Sequence, residues 1–205
     1  MKKLTALLLS AAMVFTCVAC GNAGNAGNTE NNNNGGSSVE IKDATEVLTK
    51  TWEKYNATVS DDFKFPVGGG DFENTVMDNA GKYDVSVEGA KENLTVSFCI
   101  PADAIDMTDD VATVMNMMMA NNFSSAAYHV TDKANVEKVV AGIKDATLNN
   151  QWMCGFPEKL IIVTVNGDYV VSAFGNGQVI DYIKEAITAV YGDAAVVSVE
   201  ENLAE

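Results

Sequence analysis

Side chains able to do chemistry are few in this sequence and widely spaced. There is one histidine, His129, and the body carries two cysteines, Cys99 and Cys154. The run "VMNMMMANN" adds the thioethers of Met115, Met117, Met118 and Met119. Thioether, thiol and imidazole donors together suit a soft ion such as copper(I), which makes Met115, Met118, Met119, Cys99, His129 and Cys154 a candidate metal set. On a helix, Met115 and Met119 share a face and Met118 sits beside Met115. Methionine is also a flexible filler of irregular cores and a lining of adaptable grooves. Core packing is therefore the main expectation, with a partner or ligand groove second and copper third, and no resident metal or other cofactor is expected. Cys99 and Cys154 either pair, pack separately as small apolar residues or join a metal site. The choice depends on a Cα separation that spacing along the chain does not supply.

Other chemistries lack their parts. No G-x-S-x-G run surrounds a serine and no H-E-x-x-H is present, so hydrolase triads and zincin sites have no signature here. A lone histidine inside a strand-like run more often serves structure than catalysis. "AFGNGQ" places glycines at a helix start, where anions can bind, but it lacks the lysine of a phosphate loop and reads as a turn capped by Asn176. Asp103, Asp106, Asp109 and Asp110 match no calcium-loop spacing and read as helix starts. Gly68, Gly69 and Gly70 mark a loop or hinge. No catalytic residue is singled out.

Periodicity supplies the elements that must position these groups. Asp43 with Glu46 resembles a capping box, and Ala44, Val47, Leu48, Trp52 and Tyr55 continue at helical spacing, which predicts a helix over 43–57. Residues 58–81 read as a long connection with one short helical turn. Alternation predicts strands at 83–87 and 94–100. Thr108 followed by two aspartates predicts a helix over 108–119. Strands are expected at 123–130, 160–165, 168–174 and 195–199, with the Asn166-Gly167 dipeptide turning the middle pair. Helices are expected after Asp132, with Val136, Val139, Val140, Ile143 and Thr147 on one face, and after Asn176, with Val179, Ile180, Ile183, Ile187 and Val190. From Phe123 onward the order is strand, helix, strand, strand, helix, strand. That is the split βαβ order of ferredoxin-like folds, so the fold class is α+β, an antiparallel sheet with helices on one face.

The amino terminus carries a different message. Lys2 and Lys3 precede an apolar run of about fifteen residues, too short for a membrane-spanning helix and laid out like an export signal. The run ends in Cys17, Val18, Ala19 and Cys20, followed by Gly21. This resembles a bacterial lipoprotein signal, with Cys17 where leucine is usual. The resemblance implies cleavage after Ala19 and a diacylglycerol thioether on Cys20, two acyl chains that hold firmly where one is marginal. Residues 21–38, "GNAGNAGNTENNNNGGSS", offer no core-forming side chain and read as a flexible tether spanning roughly 25 Å. The expected organisation is a signal over 1–19, the lipidated cysteine and tether over 20–40, and one α+β domain over 41–205, most regular over 94–200. Between about 94 and 189, "YHVTDKANVEKVVAGIK" and "VNGDYVVSAFGN" also resemble a family of small Gram-positive lipoproteins. That family has no established activity and lends no site residues.

Charge narrows the partners. Acidic residues outnumber basic ones 28 to 13, the formal net charge is −15, and every basic residue is lysine. Without the guanidinium fork and with this sign of charge, nucleic acid is not an expected partner. The acidic body should also stand off anionic headgroups. The expectation is a lipid-anchored protein on the extracytoplasmic face of the cell membrane. It would be a non-enzymatic module that meets the membrane through its anchor and binds an unknown protein or small molecule; a copper-handling lipoprotein is the alternative.

Overall fold

The computed structural model describes residues 39–203. Cys20, the signal and most of the tether lie outside them, although Val39 and Glu40, assigned to the tether above, are included. Val39 is clasped by one side chain: its N–H donates to Asn166 Oδ1 (3.1 Å), and Asn166 Nδ2 donates back to its carbonyl (2.6 Å).

Helix α1 (Ala44–Thr58) starts where Asp43 accepts from the Glu46 N–H (2.7 Å) and Glu46 reaches back to the Lys42 N–H (2.6 Å). The reciprocal cap is thus displaced by one residue from the usual box. The expected connection over 58–81 holds a short 3-10 turn (Asp61–Phe63) and also three brief strands, β1 (Val67–Gly69), β2 (Val76–Met77) and β3 (Gly81–Lys82). Then come α2 (Ala90–Phe98), α3 (Ala102–Ile105), β4 (Thr108–Asn116), β5 (Phe123–Val130), α4 (Val136–Leu148), β6 (Lys159–Val165), β7 (Tyr169–Gly175), α5 (Gly177–Tyr191) and β8 (Ala195–Asn202). Asn166 and Gly167 turn β6 into β7 at φ 54° and 77°, the positive values that a tight hairpin requires.

Two expected elements are corrected. Residues 94–100 alternate apolar and polar, yet they belong largely to helix α2. Ala90, Leu94 and Phe98, four residues apart, are buried, whereas Val96 is 69% exposed. Residues 83–87 form no strand, and Tyr83 instead buries its ring and donates its hydroxyl to the Ala90 carbonyl (3.1 Å). Residues 108–116 are strand β4, not helix. Val111, Ala112, Thr113 and Val114 are buried in succession, as in a strand covered on both faces, where alternation disappears. Its aspartate does serve a helix start, but that of α1: Asp110 accepts from the Ala44 N–H (2.7 Å).

All strand pairs are antiparallel, in the order β2-β1-β4-β5-β7-β6-β8, with β3 beside β4. The class is α+β. The split βαβ unit is present, since β7 lies between β5 and β6. The expected placement of helices on one face is corrected. β8 lies beside β6, because β4 already occupies the free edge of β5. Both crossovers, β5-α4-β6 and β7-α5-β8, then step the same way across the sheet from strands of opposite direction. Right-handed crossovers must put the two helices on opposite faces. One core joins α1 and α5 to the sheet through Ala112, Ala127, Ile161, Val163 and Val171. The other joins α2, α3 and α4 through Val111, Ala126, Tyr128, Leu160, Ile162 and Val170.

The helical assignment of α2 makes a direct prediction. Leu94→Ala should cost about 3 kcal/mol in chemical denaturation, while Val96→Ala should change stability by less than about 0.5 kcal/mol. Equal losses at both positions would restore the strand.

Candidate ligand pocket

The strand register builds a pocket at the end of the sheet where β4 finishes. Gly68 of β1 pairs with Met115 of β4 on one side and with Met77 of β2 on the other. Cross-strand partners point to the same face, so a glycine stands as a gap between two methionines. A cavity of about 320 Å³ opens there, lined by Gly68, Phe72, Thr75, Tyr83, Asn93, Ser97, Phe98, Met115, Met117, Met118 and Ala120, among others. Met117 bends over the gap, with its Cγ 3.3 Å from where a Gly68 Cβ would lie. Met118 is 82% exposed and Phe72 76% exposed, so the rim is apolar and open to solvent.

Two buried polar side chains hold the walls. Asn116 ends β4 and accepts from the N–H groups of Met118 (2.8 Å) and Met119 (3.1 Å), an Asx turn that presents the methionines outward. Asp71 follows the glycine run and accepts from the N–H groups of Glu73 (2.9 Å), Asn74 (2.8 Å) and Asp84 (3.2 Å). Burial pushes its carboxyl up, but the hydrogen bonds outweigh it and hold the group below the usual carboxylate range. The glycines themselves are steric necessities. A Cβ on Gly69 would lie 2.3 Å from the Gly81 nitrogen and 2.4 Å from the Thr113 oxygen, and Gly70 has φ 88°. Neither Asn116 nor Asp71 was singled out from sequence; the available signal was a short polar residue directly ahead of a turn, common to many loops.

The six candidate metal ligands do not come together. Met115 lies on a strand and Met119 in the turn beyond it, so the shared helical face is lost with the helix. Met115 and Met118 do line the pocket, together with Met117. His129 lies five residues along β5 from Ser124, the partner of Met115, which places it about 17 Å away toward the other end of the sheet. There its Nδ1 is 2.5 Å from Asp109 Oδ1 and its ring packs on Tyr169. Cys99 and Cys154 are free, one buried and one exposed. Burial pushes the Cys99 thiol up to about 11, with Thr147 opposing, so it packs as a neutral group. The backbone carbonyls of Cys154 and Gly155 accept from Asn121 Nδ2, tying that loop to the methionine turn.

The remaining motifs are spent locally. Asp103 faces Lys138, Asp106 pairs with Lys91, Asp109 with His129, and Asp110 holds the start of α1. Among the described residues no group of three or more histidine, cysteine or acidic side chains is placed to hold a metal ion. At the start of α5, Asn176 caps the Val179 N–H, and the Glu158 carboxylate accepts from the Gly177 N–H (2.8 Å), filling the anion position from within the chain.

Asp71 couples the pocket to acid. Its folded-state pKa is lowered, so its contribution is fully present above the unfolded carboxyl value near about 4 and is lost as pH falls through the lower folded value. Binding of an apolar dye in the pocket should stay level from neutral pH to about pH 5 and fall below about pH 4. Asp71→Asn should lose about 1–3 kcal/mol of stability at neutral pH by denaturation; an unchanged midpoint would contradict this role.

Comparison of the chain with protein-family models, with curated proteins and with solved structures finds no match.

Proposed function

We propose that this protein is a lipid-anchored extracytoplasmic binding module without enzymatic activity, and that its ligand seats an apolar group in the methionine-rimmed pocket. The single observation that carries the binding role is the open apolar cavity over Gly68, walled by Phe72, Phe98, Met115, Met117 and Met118. Its volume lies at the lower end of the range for ligand sites, and polar groups such as Asp71, Thr75, Asn93, Ser97 and Asn116 sit among apolar walls. Flexible thioethers let such a surface adapt to more than one shape.

The anchor rests on the sequence through Cys20, Ala19 and the apolar run before them. The geometry of the body is compatible with it. The described chain begins at Val39, held at the β6-β7 turn, whereas the pocket lies at the other end of the strands, about 25 Å away for an eight-residue strand. Val39 and the pocket mouth are thus at opposite ends of the strands. The second reading, copper handling, retains Met115, Met117 and Met118 around one cavity, without the histidine and buried thiol that would complete the set.

Three outcomes test this reading. Cys20→Ala should move the protein from the membrane fraction to the medium or leave an unprocessed precursor; unchanged fractionation would remove the anchor. Nile red should bind the full-length chain, with Gly68→Val reducing affinity at least about tenfold by filling the gap, and an unaffected affinity would place the dye elsewhere. Replacing Met115, Met117 and Met118 with leucine should leave dye affinity within about threefold, because the volumes are similar. Stoichiometric copper(I) uptake by the parent chain that disappears in this triple variant would favour the copper reading.

A further inference from the structure

The charge distribution around the pocket, taken with the free sheet edge beside it, says more about the occupant. We infer that the pocket receives a bulky apolar side chain of an extended, positively charged peptide segment that pairs with the outer edge of β2. This rests on the apolar pocket proposed above and adds the sign of charge and the mode of docking.

Among the described residues no lysine lines the cavity. Residues 71–98, which supply much of its wall, contain six carboxylates and two lysines. Both lysines face acids elsewhere in the fold, Lys82 toward Asp110 and Lys91 toward Asp106. Of the carboxylates, Asp71 is occupied by backbone N–H groups. Glu73, Asp84 and Glu92 are exposed and lie next to pocket-lining residues in the chain, beside Phe72, Tyr83 and Asn93. Asp84 is held in its charged form by hydrogen bonds from the Ser86 hydroxyl (2.7 Å) and N–H (2.9 Å). An apolar mouth built largely from a segment with net negative charge favours a ligand that is apolar at one point and cationic around it.

The edge supplies the docking mode. Among the described residues β2 is the last strand of the sheet on this side and pairs only with β1. Val76 and Met77 are both exposed. Such an edge accepts an added strand, whose alternate side chains then point to the pocket face. Register places Met77 on that face beside Gly68, so a residue paired near Met77 projects toward the gap. A second copy of this chain, at net charge −15, and an anionic lipid surface would both meet like charge at this rim.

The test uses the full-length chain in neutral detergent and three fluorescent peptides that share one apolar centre, KKFLFKK, SSFLFSS and EEFLFEE, read by anisotropy. The cationic peptide should bind at least about tenfold tighter than the serine peptide at low ionic strength, and the acidic one should bind weakest. In about 0.5 M salt the preference should shrink to within about threefold. Changing Glu73→Gln, Asp84→Asn and Glu92→Gln together should remove most of the cationic preference while Nile red affinity stays unchanged, which also shows that the variant is folded. A proline placed at the centre of the cationic peptide should weaken it, since it removes an edge hydrogen bond. Equal binding of all three peptides with dye binding intact would overturn this inference and leave the pocket standing. Failure of both dye and peptides to bind would overturn the pocket reading and this one with it. Dye binding that is lost as the chain self-associates would assign the face to a second copy and overturn the peptide.

Discussion

The pairing of β4 between β1 and β5 is the constraint from which the remaining architecture follows. Seven register pairs join β4 to β5, and they occupy the edge of β5 that the last strand would otherwise take. β8 is left the far side of β6, and the handedness of crossovers then sends α5 across the sheet to share a core with α1. On its other edge β4 aligns Met115 with Gly68, and through Gly68 with Met77. One strand thereby sets both the layering of the molecule and the gap in which an apolar group can sit.

The parts of the fold legible in the sequence were those whose local signals agree with their tertiary environment. Asn166-Gly167 favours the positive φ that a tight hairpin needs, and the faces of α1, α4 and α5 bury most of the residues that a period of 3.6 selects, with Val140 and Val190 half-buried at the margins. β4 was unreadable because it is covered on both sides. A buried run such as Val111 to Val114 loses the period of two, and the aspartates ahead of it imitate a helix start. In fact Asp110 caps the backbone of α1, 66 positions away in sequence. α2 failed for the opposite reason. Leu94, Val96, Phe98 and Ile100 alternate by coincidence, and only burial shows that Val96 belongs to solvent.

The candidate site was half legible for the same reason. The methionine run was conspicuous as composition, and a ligand groove was among its readings, but the helix assigned to it grouped the wrong partners. A strand followed by an Asx turn spreads Met115, Met117 and Met118 around a cavity and leaves His129 toward the far end of β5. Asp71 and the glycines ahead of it acquire meaning only when β1, β3 and β4 are brought within backbone contact, a condition set by residues more than forty positions apart, such as Gly70 and Thr113. The lysines are likewise intelligible only in three dimensions. Lys159 is bound by Asp181 and Glu200, with Lys184 on the same Glu200, which anchors α5 to the carboxyl end of the edge strand β8.

The Asn166 side chain that clasps Val39 has a mechanical consequence. Any pull on the chain ahead of Val39 is delivered first to two hydrogen bonds at a hairpin tip and then to the amino end of α1, through the Asp110 contact to Ala44. The load therefore arrives at the pole where the strands turn, while the methionine gap lies at the opposite pole and off that line. Drag on the leading segment would strain the hairpin tip well before it distorted the cavity.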